Sequence, residues 1–68
     1  KMIEAKSILD VLSFRKTEEK EELRKCFNFS DEVFEKGLNF LHTNDEISIE
    51  AVSDGLFEKT IISIKVSK

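Results

Sequence analysis

The groups able to do chemistry in this 68-residue chain are one histidine, one cysteine, fourteen carboxylates and eleven lysines and arginines. A thiol nucleophile needs a base within hydrogen-bond reach. Cys26 and His42 belong to different predicted helices, and no base is spaced to activate the thiol. A zinc centre takes three or four Cys, His or carboxylate ligands, and one Cys with one His makes no such set. The acids are numerous, but none forms a pair with a division between proton donor and acceptor. The two glycines, Gly37 and Gly55, stand alone and make no phosphate-cradling loop. The expectation is a protein that is not an enzyme, with no metal, no cofactor and no small-molecule substrate. His42 is expected to serve the late carbonyls of a helix end, and Cys26 to act as a small apolar residue on a buried stripe.

Binding chemistry is left, and two patterns offer it. The outer face of the third predicted helix carries Glu32, Glu35, Lys36, Asn39, His42 and Thr43, with Asp31 at its start. Acids in a first helical turn are favoured by the helix dipole in any case. A face of this sign steers a basic partner, so Glu32 and Glu35 are candidate protein-binding residues. The alternative is DNA: Lys36, Asn39 and Thr43 would read bases, while Lys20, Arg24, Lys59 and Lys65 would contact phosphates. Against it, Glu18, Glu19, Glu21 and Glu22 are interleaved with Lys20, Arg24 and Lys25, the pattern of an ordinary solvated helix face. The net charge is −3 and the sequence pI about 5.1, whereas nucleic-acid-binding domains are commonly basic, often above about 9.

The elements that must position these residues are legible from periodicity. The length suits one domain, and 40% hydrophobic with 37% interspersed charged residues suits a globular fold with a thin core. Apolar residues recur at helical spacing up to about residue 45 and alternate beyond it. A first helix is predicted from Met2 to Phe14, with Ala5, Ile8, Leu9 and Leu12 on its buried side. A second is predicted to start at a Thr17 cap, to bury Leu23, Cys26 and Phe27, and to end at Asn28. Ser30 caps a third, whose inner face is Val33, Phe34, Gly37, Phe40 and Leu41. The intervening Asn28-Phe29-Ser30 has the length of the turn in a helix-turn-helix. Gly37 costs about 1 kcal/mol of helix propensity, and its place on the inner face implies two helix backbones crossing closely there.

A β-hairpin follows. Asp54-Gly55 is a strong two-residue turn signal. Centred there, it sets Ser53 against Leu56, Val52 against Phe57, Glu50 against Lys59, Ile49 against Thr60 and Ile47 against Ile62. Alternation then continues through Val66 and Ser67. Val52, Phe57 and Ile61 point outward with Leu56 at the tip. An apolar tip suits a protein partner better than DNA, so Val52, Leu56 and Phe57 join the candidate protein-binding set.

Taken together these are α+β elements in the order helix, helix-turn-helix, hairpin. The order resembles the winged-helix superfamily. The resemblance rests on Glu22-Leu23 and Cys26-Phe27, on Phe29-Ser30 at the turn, and on Val33, Leu38 and Leu41. It continues through His42-Thr43-Asn44-Asp45-Glu46-Ile47 into the wing, where Asn44-Asp45 replaces the glycine many members carry. The stretch Gly37 to Ile47 is also similar to the protein-docking winged helix of the replication protein A middle subunit. The resemblance implies three helices followed by a two- to three-stranded antiparallel wing. It also implies a role in replication, transcription or chromosome maintenance, through protein contacts or, alternatively, through DNA as part of a transcriptional regulator.

No stretch approaches the ~20 apolar residues of a membrane span, no basic-plus-apolar leader is visible, and a lone cysteine suits a reducing compartment. The expected setting is intracellular, in the cytoplasm or the nucleus or nucleoid. Lys1 before Met2 suggests one domain excised from a larger protein. A homodimer using Met2 and Ile3 is a further expectation.

Overall fold

The computed structural model describes residues 2–65, apart from the side chain of Asp54. The order is α1 (Ile3–Arg15), β1 (Thr17–Glu19), α2 (Lys20–Arg24), α3 (Asp31–Thr43), β2 (Ile47–Asp54) and β3 (Phe57–Ile64). The three strands form one antiparallel sheet in the order β1-β3-β2. The helices pack over the inner face of this sheet around Ala5, Ile8, Leu12, Leu23, Phe34, Leu38, Leu41, Ile47 and Ile62. The expected continuation of the last strand through Val66 and Ser67 lies outside the described residues.

Helix α1 follows its predicted bounds within a residue, because Ala5, Ile8 and Leu12 recur on one side and all three are buried. Gly37 of α3 faces this stripe. A Cβ at Gly37 would sit 2.9 Å from Ile8 Cδ1 and 3.7 Å from the Ala5 backbone, so the close crossing inferred from the glycine is present. The inner face of α3 is rotated from the expected one. Phe34, Gly37, Leu38 and Leu41 are buried, while Phe40 is over a third exposed. These four positions keep the i, i+3, i+4, i+7 spacing that including Phe40 breaks.

The segment between α1 and α3 departs most from expectation. Thr17 is not a helix cap: it lies in β1 opposite Ser63, and the two hydroxyls are 2.8 Å apart. The Ile64 N–H donates to Lys16 O at 2.8 Å, which joins the chain ahead of β1 to the end of β3. Thr-Glu-Glu suits a helix start locally, but an open β3 edge offers it ladder hydrogen bonds, and tertiary pairing wins. Glu19 takes over the cap, its side chain accepting from Glu22 N at 3.3 Å. α2 therefore starts later than expected and ends at Arg24 instead of Asn28. Cys26 falls in the turn beyond it and is exposed, not a core residue. The link to α3 is longer than three residues and is held by ring stacking. Phe27 and Phe29 lie parallel with centroids 4.9 Å apart, and Phe27 leans on Phe34 at 6.5 Å. Ser30 caps α3 as expected, accepting from Val33 N at 3.2 Å.

The hairpin turn is Gly55-Leu56 instead of Asp54-Gly55, since Asp54 pairs with Phe57. Gly55 has φ +66° at the first central position, where a type II′ turn puts its glycine. Every partner moves by two. Ile47 faces Ile64, Ile49 faces Ile62, Val52 faces Lys59, and Glu50 faces Ile61 instead of Lys59. A shift of two preserves which side chains share a face. It also gives two isoleucine pairs beside the core where the expected register gives one.

Candidate protein-interaction surface

The site is built by the hairpin. β2 and β3 run past the end of the core, which leaves the last residues of β2 and the first of β3 beyond it. Ile47 and Ile62 are fully buried at the base, whereas Leu56 is 98%, Phe57 72% and Val52 43% exposed at the far end. Val52 and Phe57 lie on the same face of the sheet in diagonal positions, because Val52 pairs with Lys59 and Phe57 is two residues before it. Ile61, half-buried, continues this face toward β1. The three residues expected to form an apolar tip are thus together and open to solvent.

The acids and bases of the helices are arranged differently from either binding expectation. Glu35 of α3 pairs with Lys20 of α2, and Asp31 of α3 pairs with Arg24 of α2 at 3.3 Å. Arg24 also contacts Glu21 at 3.2 Å. Within α3, Lys36 lies 3.5 Å from Glu32. The acidic face meant to steer a partner and the bases meant to contact phosphate largely neutralise one another. Such exposed pairs contribute only about 0–1 kcal/mol each to stability, but they cancel the local field that either role needs.

At the other end of the hairpin Lys65 pairs with Asp45. Asp45 sits at φ +62° immediately after the α3 C-cap, Asn44, a left-handed position that Asp tolerates and glycine favours. The hydrogen bond from Lys65, reinforced by its charge, holds the Asp45 carboxyl below its ordinary range. Lys59 is also engaged with a partner.

Asn39 and Thr43 are exposed and, with Lys36, line a shallow groove closed by Met2, Phe40 and Asn44. This brings the proposed base-reading residues together beside an apolar floor. The proposed phosphate contacts lie elsewhere, on α2, β3 and the residue after β3. His42 is exposed in the last turn of α3. Among the described residues no group of three His, Cys, Asp or Glu side chains could hold a metal ion, and no helix is long and apolar enough to cross a membrane.

Three exposed apolar residues, Phe14, Phe40 and Ile49, lie outside the binding candidates that the sequence offers. Phe14 is 88% exposed near the end of α1; the Ala5-Ile8-Leu12 stripe leaves it on the opposite, solvent-facing side, about 160° away from Leu12 on the helical wheel at ~100° per residue. Ile49, on the inner side of β2, is over a third exposed because the core ends before it. Comparison of the chain with protein-family models, curated proteins and solved structures finds no match.

Proposed function

We propose that the chain is a winged-helix module that acts through protein–protein contacts, with the hairpin as its wing and the apolar tip as its anchor. The observation that carries this reading is the exposure of Leu56, Phe57 and Val52 at one end of the sheet. Scattered apolar residues are normal on a surface, but neighbouring ones at a projecting tip mark an interaction site. The order helix, short strand, helix, helix, hairpin, with the short strand joined to the hairpin, and the Ser30-capped third helix support the winged-helix assignment. Involvement in replication, transcription or chromosome maintenance, in an intracellular setting, rests on that family resemblance. Glu32 and Glu35, paired with Lys36 and Lys20, are secondary to the tip.

The test is Phe57→Ala. Phe57 lies outside the core cluster and is largely exposed, so the variant keeps its thermal midpoint while losing association with partner. If association survives Phe57→Ala and Leu56→Ala together, the wing is not the anchor. The DNA alternative has its own signature, duplex binding that weakens steeply with salt. A shift assay at low salt with micromolar protein shows no complex on the present reading.

A further inference from the structure

The sheet ends on β2, which pairs with β3 on one side only. Among the described residues no further strand lies beside it, which leaves one side of an eight-residue strand as a sheet edge. Natural edge strands are protected by being short, by proline, by lysine or by a covering element. β2 is long, contains neither proline nor lysine, and is exposed from Ile49 to Ser53.

The charges select an occupant. β2 carries Glu50 and no basic residue, Glu46 precedes it and Glu58 follows the turn, while Lys59, opposite Val52, is already engaged with a partner. A second copy of β2 would set one acidic strand against another. A basic segment is complementary. On the Glu50 face it would meet a carboxylate and the apolar Val52; on the opposite face it would meet the partly exposed Ile49 and Ala51. We infer that the free edge of β2 binds an extended basic segment of another protein as an added strand, with alternating cationic and apolar side chains. This rests on the protein-interaction reading of the wing and specifies how the partner sits: backbone hydrogen bonds along the edge, side-chain contacts at Glu50, Val52 and Ile49.

The probe is a synthetic eight-residue peptide alternating lysine and valine, titrated into the isotope-labelled domain and followed by amide NMR. A second peptide of the same sequence carries N-methyl groups on alternate backbone nitrogens, in two versions that block either edge. It keeps the charge and the side chains but cannot pair along one side. The expected result is saturable shifts centred on β2, slowed exchange of its amides, and binding at least about tenfold weaker for one N-methylated version, as the loss of two or more hydrogen bonds requires. Glu50→Lys weakens the unmodified peptide without altering the fold. Equal binding of all three peptides overturns the added-strand inference. If Phe57→Ala and Leu56→Ala together then abolish binding, the wing-tip reading still stands; if binding survives both, both readings fail. Concentration-dependent dimerisation that protects β2 amides without any peptide assigns the edge to a second copy and also overturns the inference.

Discussion

Gly37 gives the sharpest test of the packing, because two effects of similar size oppose each other there. Replacing glycine by alanine in a helix interior gains about 0.8–1 kcal/mol of propensity. The added Cβ, however, would lie 2.9 Å from Ile8 Cδ1, inside ordinary contact distance, while the Ala5 backbone at 3.7 Å leaves room. Ile8 is fully buried, so its terminal methyl has little space to retreat into. Overpacking of this kind costs about 1–3 kcal/mol. Gly37→Ala alone is therefore expected to destabilise the domain by about 1 kcal/mol, which is roughly 4–8 °C in the midpoint of so small a domain.

The obstacle is one methyl group, and Ile8→Val removes it. Alone, that change costs about 0.5–1.5 kcal/mol. In the Ile8→Val background the alanine Cβ fits, and Gly37→Ala should then stabilise by about 1 kcal/mol of recovered propensity. The coupling between the two sites is thus about 2 kcal/mol, well above the ~0.5 kcal/mol within which independent sites add. Denaturant unfolding of the four proteins with a common m-value measures it. If Gly37→Ala has the same effect in both backgrounds, the α1–α3 crossing is not limited by the Ile8 methyl and the packing argument is refuted.

Three further outcomes follow from backbone and charge. Lys16 sits at φ +77°, ψ −48°, a region costing a residue with a Cβ about 1–3 kcal/mol; its contacts to Leu12 O and Ile64 N are through its own backbone. Lys16→Gly should accordingly stabilise by about 1 kcal/mol after the entropy of glycine in the unfolded chain is subtracted, and an unchanged unfolding midpoint would count against strain there. The Asp45 carboxyl is held below its ordinary value of 3.8 by Lys65, so its stabilising effect is complete above that value and is lost as pH falls through the lower folded one. Asp45→Asn keeps a residue that tolerates positive φ, and the midpoint gap between it and the unsubstituted protein should close between pH 6 and pH 2; a gap independent of pH excludes the ion pair. Finally, Asp31→Asn with Glu35→Gln releases Arg24 and Lys20 from their partners on α3. This variant should gain weak duplex binding at low salt that disappears on raising salt, and equal binding by the unsubstituted domain would show that the ion pairs do not suppress it.

What could be read from the sequence divides along physical lines. The stripe Ala5, Ile8, Leu12, the Ser30 cap and the Gly37 crossing are local patterns, and each is present. β1 was hidden because Thr17-Glu18-Glu19 has the composition of a helix start, and only the spatial approach of β3 makes it a strand. The loss of the helical end at Asn28 follows: once α2 begins after Glu19 and stops at Arg24, Cys26 is turned out of the core. The turn lies one residue beyond the Asp54-Gly55 signal because Asp-Gly and Gly-Leu both satisfy a two-residue hairpin, and two isoleucine pairs at the base favour the latter. The apolar tip was nevertheless legible, since a register shift of two leaves Val52 and Phe57 on their face. The ion pairs between α2 and α3 were not, because Lys20–Glu35 and Arg24–Asp31 join residues distant in sequence whose approach no periodicity encodes.

Those ion pairs bear on the choice between partners more than the net charge does. A phosphate approaching Lys20 or Arg24 must first separate the base from a carboxylate of α3, and the carboxylate then remains beside the phosphate. Since each exposed pair is worth little, the obstacle is the repulsion left behind and not the strength of the pair. The hairpin tip has the opposite character. Folding needs Gly55 at the turn, because φ +66° disfavours a side chain, but it draws almost nothing from Leu56, which is 98% exposed, or from Phe57. Their apolar surface is left over after the fold is satisfied, at the end of the strand that carries Glu50. On the proposed reading, a surface that is apolar, open along a strand edge and marked by Glu50 suits a basic, extended protein segment better than a phosphate backbone.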